Sequence, residues 1–314
     1  MSADGRWDGV PVLVTGAQGF VGSWLTERLL DAGARVVAPR RDTPAESRFQ
    51  SEGIDRRCDL VQANITDYDA VIRALHEYRV QAVFHLAAQS IADVAARSPY
   101  STWESNLRGT YTVLEAARAA REVGEGIERV VVSSSVLAYG DGAATPWRED
   151  HPLEPVAAYA ASKAATDLIA RSYARSFELP VAVTRMANVY GGGDLNFSRL
   201  VPDACRALVA GERPVLRSDG TPVRELLYVE DAVDAYLAVA ESLDDESLRG
   251  RAWNAGAGEA RPVLEIVNRL IRASGRDVEP DVRGRPAAPG RVDRQELDSS
   301  AIRGELGWAP RFGL

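Results

Sequence analysis

Lysine is nearly missing from this chain: 36 of its 37 basic residues are arginine, and Lys163 is the single exception. Chemistry that needs a compact ammonium rather than a broad planar guanidinium therefore has one place to occur. Cysteine is scarce as well. Cys58 and Cys205 are too few for a disulfide framework and too far apart for a metal-binding pair. The three histidines, His76, His85 and His151, are scattered, so no zinc pattern exists and no metal is expected. No stretch approaches the roughly 18 apolar residues that span a bilayer, and the first seven residues carry no apolar signal core. An excess of positive charge is also lacking: 45 acidic against 37 basic side chains leave a net charge of −8, which excludes general binding to nucleic acid or a membrane surface. A cytoplasmic protein is expected.

What is present is an ordinary globular composition, 46% hydrophobic over 314 residues, enough for one large or two modest domains. Short apolar runs at residues 10–14, 35–38, 82–86, 130–132 and 181–184 alternate with amphipathic segments at 20–32, 68–77, 101–123 and 157–177. That alternation predicts an α/β fold, a doubly wound parallel sheet of the Rossmann kind. After Tyr190 the texture changes to a Gly191-Gly192-Gly193-Asp194 loop, a helical stretch at 199–210 and turn-rich segments. Residues 229–242 read as a helix returning to the first domain, with Glu230 and Asp231 at its positive end, whereas 276–294 read as loop. The expected division is a dinucleotide-binding domain at 1–189 and 223–245, with a smaller substrate-binding lobe at 190–222 and 246–314.

Between the first strand and first helix stands Gly16-Ala17-Gln18-Gly19-Phe20-Val21-Gly22. Glycines there permit a tight turn, close approach of backbone N–H groups to a pyrophosphate, and close packing of helix on strand. The second strand then ends in Pro39-Arg40-Arg41-Asp42, where a carboxylate would ordinarily read the adenosine ribose of NAD. Arg40 or Arg41 can pair instead with a 2′-phosphate, so NAD and NADP both stay open. In a chain that uses arginine for nearly every positive charge, a solvated face is the plainer role for either.

Tyr159 and Lys163 lie four residues apart, on one face of a helix. Ten tyrosines in 314 positions give a randomly placed lysine about a 3% chance of falling there. A neighbouring cation favours the phenolate, so the pair predicts a tyrosine able to exchange a proton with a hydroxyl or carbonyl. Upstream, residues 130–132 run into Ser133-Ser134-Ser135, at the strand end where such sheets bind ligands. Ser135 is the candidate for holding the reacting oxygen.

With these pieces the chain resembles the extended short-chain dehydrogenase/reductases, in the nucleotide-sugar epimerase and dehydratase group. The resemblance rests on residues 15–22, Leu86-Ala87-Ala88-Gln89, Asn106, residues 133–140, Tyr159 to Lys163, and the segments 185–191 and 224–231. Gly22-Ser23-Trp24-Leu25, residues 188–194, 199–203 and 306–311 are most similar to CDP-glucose 4,6-dehydratases, and Ala87-Ala88-Gln89-Ser90 to the GDP-mannose branch. Dehydratases follow the catalytic hydroxyl residue with an acid and then Glu or Lys. Here those positions are Val136 and Leu137, so the resemblance implies no dehydratase but a 4-epimerase-like site.

The resemblance further implies that Gly16, Gly19, Phe20, Val21, Gly22, Leu86, Ala87, Ala88, Asn106, Ser133, Met186 and Val189 line the cofactor together with Tyr159 and Lys163. Asn64 and Ile65 would meet the adenine, although aspartate is usual at the first. Gln89, Ser90, Ser135, Asn188, Leu200 and Val201 would face the nucleotide sugar, and Arg224 its pyrophosphate, with Arg291 or its rival Arg285 as a second phosphate contact. A homodimer built on helices 101–123 and 157–177, with Tyr111, Leu114 and Leu168 at the contact, is implied too. Relatives commonly continue for one more helix beyond Leu314. Two reactions remain: an NAD-dependent 4-epimerase passing through a 4-keto sugar, and a 4-ketoreductase using exchangeable NADPH. A non-catalytic dinucleotide sensor on the same fold has no need of Tyr159 and Lys163.

Overall fold

The computed structural model describes residues 5–42, 46–124, 126–140, 144–284 and 292–314. The apolar runs become parallel strands β1 (Pro11–Thr15), β2 (Arg35–Arg40), β3 (Asp59–Gln62), β4 (Ala82–His85), β5 (Arg129–Ser133) and β6 (Val181–Met186). They lie side by side in the order 3-2-1-4-5-6, every pair parallel. Strands such as β4 and β6 are buried along their full length because helices cover both faces, which is why each opens on consecutive apolar residues.

On one face pack α1 (Phe20–Asp31) and a helix described below; α2 (Arg48–Ser51) is a single turn. On the other lie α3 (Tyr68–Glu77), α4 (Ala92–Arg97), α5 (Pro99–Trp103), α6 (Gly109–Glu122) and α7 (Ala158–Phe177). Asp67 caps α3 by accepting the Ala70 amide at 3.1 Å. The stretch expected as one helix over 101–123 is interrupted by a π-helical turn, Glu104–Arg108. The turn has a structural cause: the Asn106 carbonyl accepts the hydroxyls of Thr110 and Thr166. Leu114 is core, whereas Tyr111 and Leu168 are exposed on the outer face of these helices.

Beyond β6 come β7 (Asn188–Tyr190), α8 (Leu200–Val209), β8 (Val215–Leu216), β9 (Val223–Tyr228) and α9 (Val229–Ser242), which packs beside α1. The chain closes with β10 (Ala252–Ala255), β11 (Ala260–Pro262), α10 (Val263–Ala273), β12 (Asp281–Val282), β13 (Arg294–Gln295) and α11 (Ser300–Leu306). β9 pairs with β7, β11 and β13 in a small mixed sheet, and α8 packs on α10 through Ala204, Leu208, Val263, Val267 and Ile271.

Two expectations need correction. β10 extends the large parallel sheet beyond β6, so 252–255 belongs with the dinucleotide fold and not with the lobe. Its four residues include Asn254, whose polarity masks the strand; the amide is satisfied internally by the carbonyls of Trp147 and Asp298 and by the Tyr139 hydroxyl. The stretch 276–294 is not wholly loop, since Asp281–Val282 pairs with β8 and Arg294 begins β13.

Candidate active site

The reversal of strand order falls between β1 and β4, the place where open α/β sheets bind ligands, in the crevice at their carboxyl ends. The glycine turn lies on this crevice. At Gly16, which has a φ of +77°, a Cβ would come 2.8 Å from the Ala87 amide; at Gly22 it would lie 2.0 Å from the Gly16 carbonyl. Side chains are therefore excluded where a pyrophosphate must approach backbone N–H groups, and the residues present fit a dinucleotide. Beneath the turn, Thr15 accepts the Ala87 amide at 3.2 Å and bonds His85 Nδ1 at 2.8 Å, while His85 Nε2 meets Thr110 at 3.1 Å. Burial, with a smaller push from the Lys163 charge, drives the His85 pKa down to about 3, so the ring is a neutral strut.

Tyr159 and Lys163 stand in the first turns of α7, an alanine-rich helix. Ser135 begins a tight turn, Val136–Tyr139, and its hydroxyl accepts the Leu137 amide at 3.2 Å. The same side chain also pulls the Tyr159 phenol's pKa down. Lys163 Nζ donates to the Ser133 carbonyl at 2.8 Å, and the Ser134 hydroxyl donates to the Lys163 carbonyl at 3.2 Å. The three residues singled out in the sequence thus meet where β5 ends.

Electrostatics depart from expectation in one respect. Burial pushes the Tyr159 phenol above its ordinary value and Tyr236 adds to this; the counteracting pull comes from Arg199 and Ser135, not from Lys163. Lys163 is only 5% exposed, and burial brings its pKa down to about 8. Its ammonium is occupied with Ser133, which the Tyr236 hydroxyl fixes from behind at 2.8 Å.

The remaining candidates divide. Leu86, Ala87 and Ala88 follow β4 at the crevice, while Met186 ends β6 and Val189 sits in β7. Phe20 and Val21 open α1, and Leu200 and Val201 open α8. Asn106, expected at the cofactor, has its amide engaged: it accepts the Gln89 amide at 2.7 Å and donates to the Gln89 carbonyl and Ser162 hydroxyl. The Gln89 side-chain oxygen accepts the Ile91 amide, and Ser90 beside it is exposed. Asn64 turns the loop after β3 by accepting the Thr66 amide, and Ile65 rests against Gly109. Asn188 donates both to the Glu225 carbonyl and to Gln295, and Arg224 Nη1 donates to the carbonyls of Val223 and Asp293. These two polar groups brace the small sheet, a placement that spacing does not reveal. Arg285 and Arg291 lie outside the described residues.

Arg199 and Tyr236 were not singled out in the sequence. Arg199, immediately before α8, pairs with buried Asp194 at 3.0 Å. A basic residue at a helix start after a glycine-rich loop was the available signal; for Tyr236, 103 residues from Ser133, there was none.

Comparison with known proteins fits this geometry. Residues 12–256 match the NAD dependent epimerase/dehydratase family. A UDP-glucose 4-epimerase of Mycolicibacterium smegmatis is 33% identical over 96% of this chain and 94% of that protein. A CDP-glucose 4,6-dehydratase of Salmonella typhimurium is 31% identical over 98% of this chain and 88% of its own. Among solved structures, a dTDP-glucose 4,6-dehydratase from Streptomyces venezuelae with NAD bound superposes with a TM-score of 0.84, at 31% identity, over 97% of this chain and 93% of that one. Epimerases and dehydratases are thus similarly near, and the glycine turn that would hold the dinucleotide is where such a family needs it. The chain is an enzyme of the NAD-dependent epimerase/dehydratase family.

Proposed function

We propose that this enzyme is a nucleotide-sugar 4-epimerase acting through a transient 4-keto sugar. One observation carries the choice over dehydration: the turn after Ser135 offers Val136, buried in the core, and Leu137, where elimination of water needs a proton donor and acceptor. Neither side chain transfers a proton.

NAD, when bound, supplies the hydride acceptor and donor and a positive charge on its oxidised ring. Tyr159 takes the proton of the sugar C4 hydroxyl and later returns it, and the Ser135 hydroxyl, which favours the phenolate, orients the same oxygen. Arg199 brings positive charge to bear on the phenol, and Lys163 Nζ is held by the Ser133 carbonyl at the end of β5. Most of the barrier is met by positioning. The 4-keto sugar turns over before reduction on its opposite face, so the product is the C4 epimer. The nucleotide-sugar substrate and a homodimer based on the helices carrying Tyr111 and Leu168 are part of the same proposal.

A second reading, a 4-ketoreductase drawing on exchangeable NADPH, is favoured by the raised Tyr159 phenol, which suits a proton donor, and by Arg40 at the ribose end. Turnover of nucleotide sugars in deuterium oxide, followed by NMR, separates the cases. A 4-epimerase inverts C4 without taking solvent deuterium into the sugar carbons. A ketoreductase consumes NADPH and only a 4-keto substrate. Deuterium entering at C5 would mean elimination and refute both.

A further inference from the structure

We infer that the adenosine end of the cofactor cleft accepts a 2′-phosphate, so that the enzyme binds NADP at least as tightly as NAD, and that Arg40 rather than Arg41 is the residue that reads it. β2 lies directly beside β1, whose end carries the glycine turn, and Arg40 is the last residue of β2. The end of this strand is where the adenosine ribose is read. An acid there accepts hydrogen bonds from two free hydroxyls and repels a phosphate; a guanidinium does the reverse.

The two arginines differ in what they already hold. Arg41 directs Nε and Nη2 onto Asp42 at 3.0 and 2.9 Å, so each neutralises the other. The acid of this segment is thereby withdrawn. Arg40 is only half-exposed, and among the described residues no carboxylate, carbonyl or ring engages its guanidinium. Its backbone is pinned on both sides. The Arg40 carbonyl accepts the Ala63 amide at 3.0 Å and the Arg41 carbonyl accepts the Gln62 side chain at 2.8 Å, so β3 fixes where the Arg40 side chain starts. The neighbouring β3–α3 loop, residues 63–67, brings no free acid of its own: its one carboxylate, Asp67, is spent capping α3, and Asn64 turns the loop.

Binding of NAD and of NADP to nucleotide-free protein, measured by calorimetry, tests this without recourse to turnover. The wild type is expected to bind NADP no more weakly than NAD. Arg40→Ala weakens NADP by about ten- to a hundredfold, the loss of one charge-assisted contact, and changes NAD by less than about threefold. Arg40→Lys recovers part of the NADP affinity, and Arg41→Ala leaves the ratio of the two affinities unchanged. A wild type that prefers NAD by more than about tenfold overturns the inference, and this comparison needs no variant to fold. So does an Arg40→Ala protein with an unaltered ratio, or an Arg41→Ala protein that loses NADP selectively. Because the readout is nucleotide affinity, failure here leaves the sugar chemistry proposed above intact, and failure of that chemistry leaves the ratio measurable.

Discussion

Exchanging Lys163 for methionine tests whether the single lysine is held at a cost to stability. In the folded chain burial lowers its pKa from 10.5 to about 8. A base whose folded pKa lies below its unfolded value binds fewer protons when folded, so stability rises with pH between about 8 and 10.5 and the penalty is fully present below that window. At about 1.4 kcal/mol per pH unit the whole penalty is about 3 kcal/mol. At neutral pH this gain in Lys163→Met is opposed by the Ser133 carbonyl, which loses its donor at a cost of about 1–3 kcal/mol.

A single pH therefore decides little; the change with pH decides much. Packing and hydrogen-bond losses cancel when the same pair of proteins is compared at two pH values. Between about pH 7.5 and about pH 9.5 the stability of Lys163→Met relative to wild type is expected to fall by about 2 kcal/mol, as the wild type sheds its buried charge. Urea unfolding of nucleotide-free protein, followed by tryptophan fluorescence, measures it, since bound cofactor adds its own stabilisation. A relative stability that stays flat over that interval would show that Lys163 is solvated as well in the fold as out of it. The premise of a strained catalytic ammonium then fails. Turnover is expected to vanish in the variant in any case.

Tyr159→Phe is expected to lower turnover at least about a thousandfold while NAD still co-purifies, because general acid–base catalysis is removed and the glycine turn is untouched; substantial residual turnover by kinetic assay refutes the role. Gly22→Ala is expected to lose bound NAD altogether, since its Cβ falls 2.0 Å from the Gly16 carbonyl, a backbone atom that cannot yield without opening the turn; nucleotide released on denaturation reports this directly. His85 gives an acid-side signature: with a folded pKa of about 3 against an ordinary 6.5, stability is intact above 6.5 and is lost as pH falls toward 3. Between about pH 7 and about pH 4.5 the wild type should lose about 2–3 kcal/mol more than His85→Gln in urea titrations.

Legibility in the sequence followed the range of the forces involved. Strands β1, β2, β4, β5 and β6 announce themselves because a strand covered on both faces carries a run of consecutive apolar residues, as at 12–14, 82–84 and 181–183, even where buried polar groups such as Thr15, His85, Thr184 and Arg185 follow. The Tyr159–Lys163 pair was legible because helical spacing is local and because lysine occurs nowhere else. β10 was not, since its four residues carry an asparagine whose partners come from 107 and 115 positions away. The π-helical turn at Asn106 was hidden for a similar reason: Thr166, one of its causes, belongs to α7. Arg224 and Asn188 also show a bracing role that spacing does not reveal: Arg224 Nη1 donates to the Val223 and Asp293 carbonyls and Asn188 to the Glu225 carbonyl and Gln295, partners set by the pairing of β9 with β7 and β13. Tyr236 reaches Ser133 from 103 residues away, where local pattern carries no information, whereas Arg199 had only the weak signal of a basic residue at a helix start.

Ser135, Tyr159 and Lys163 alone do not select the reaction, because the relatives along this chain include both epimerases and dehydratases. In the proposed reading selection falls to the two residues after Ser135, and the packing of the first of them makes the choice hard to reverse. Val136 is 2% exposed within the main core, and the turn that aims it is fastened by the Ser135 hydroxyl on the Leu137 amide and the Ser135 carbonyl on the Ala138 amide. A carboxylate placed there must be desolvated without a partner, which costs several kcal/mol or forces it to stay protonated. Val136→Asp combined with Leu137→Glu is therefore expected to lose stability in urea without gaining elimination. Were the double variant to remain as stable as wild type and wash solvent deuterium into sugar C5, the turn would already be aimed at the substrate, and the absence of an acid would be a recent loss on a dehydratase frame rather than a feature built into the packing.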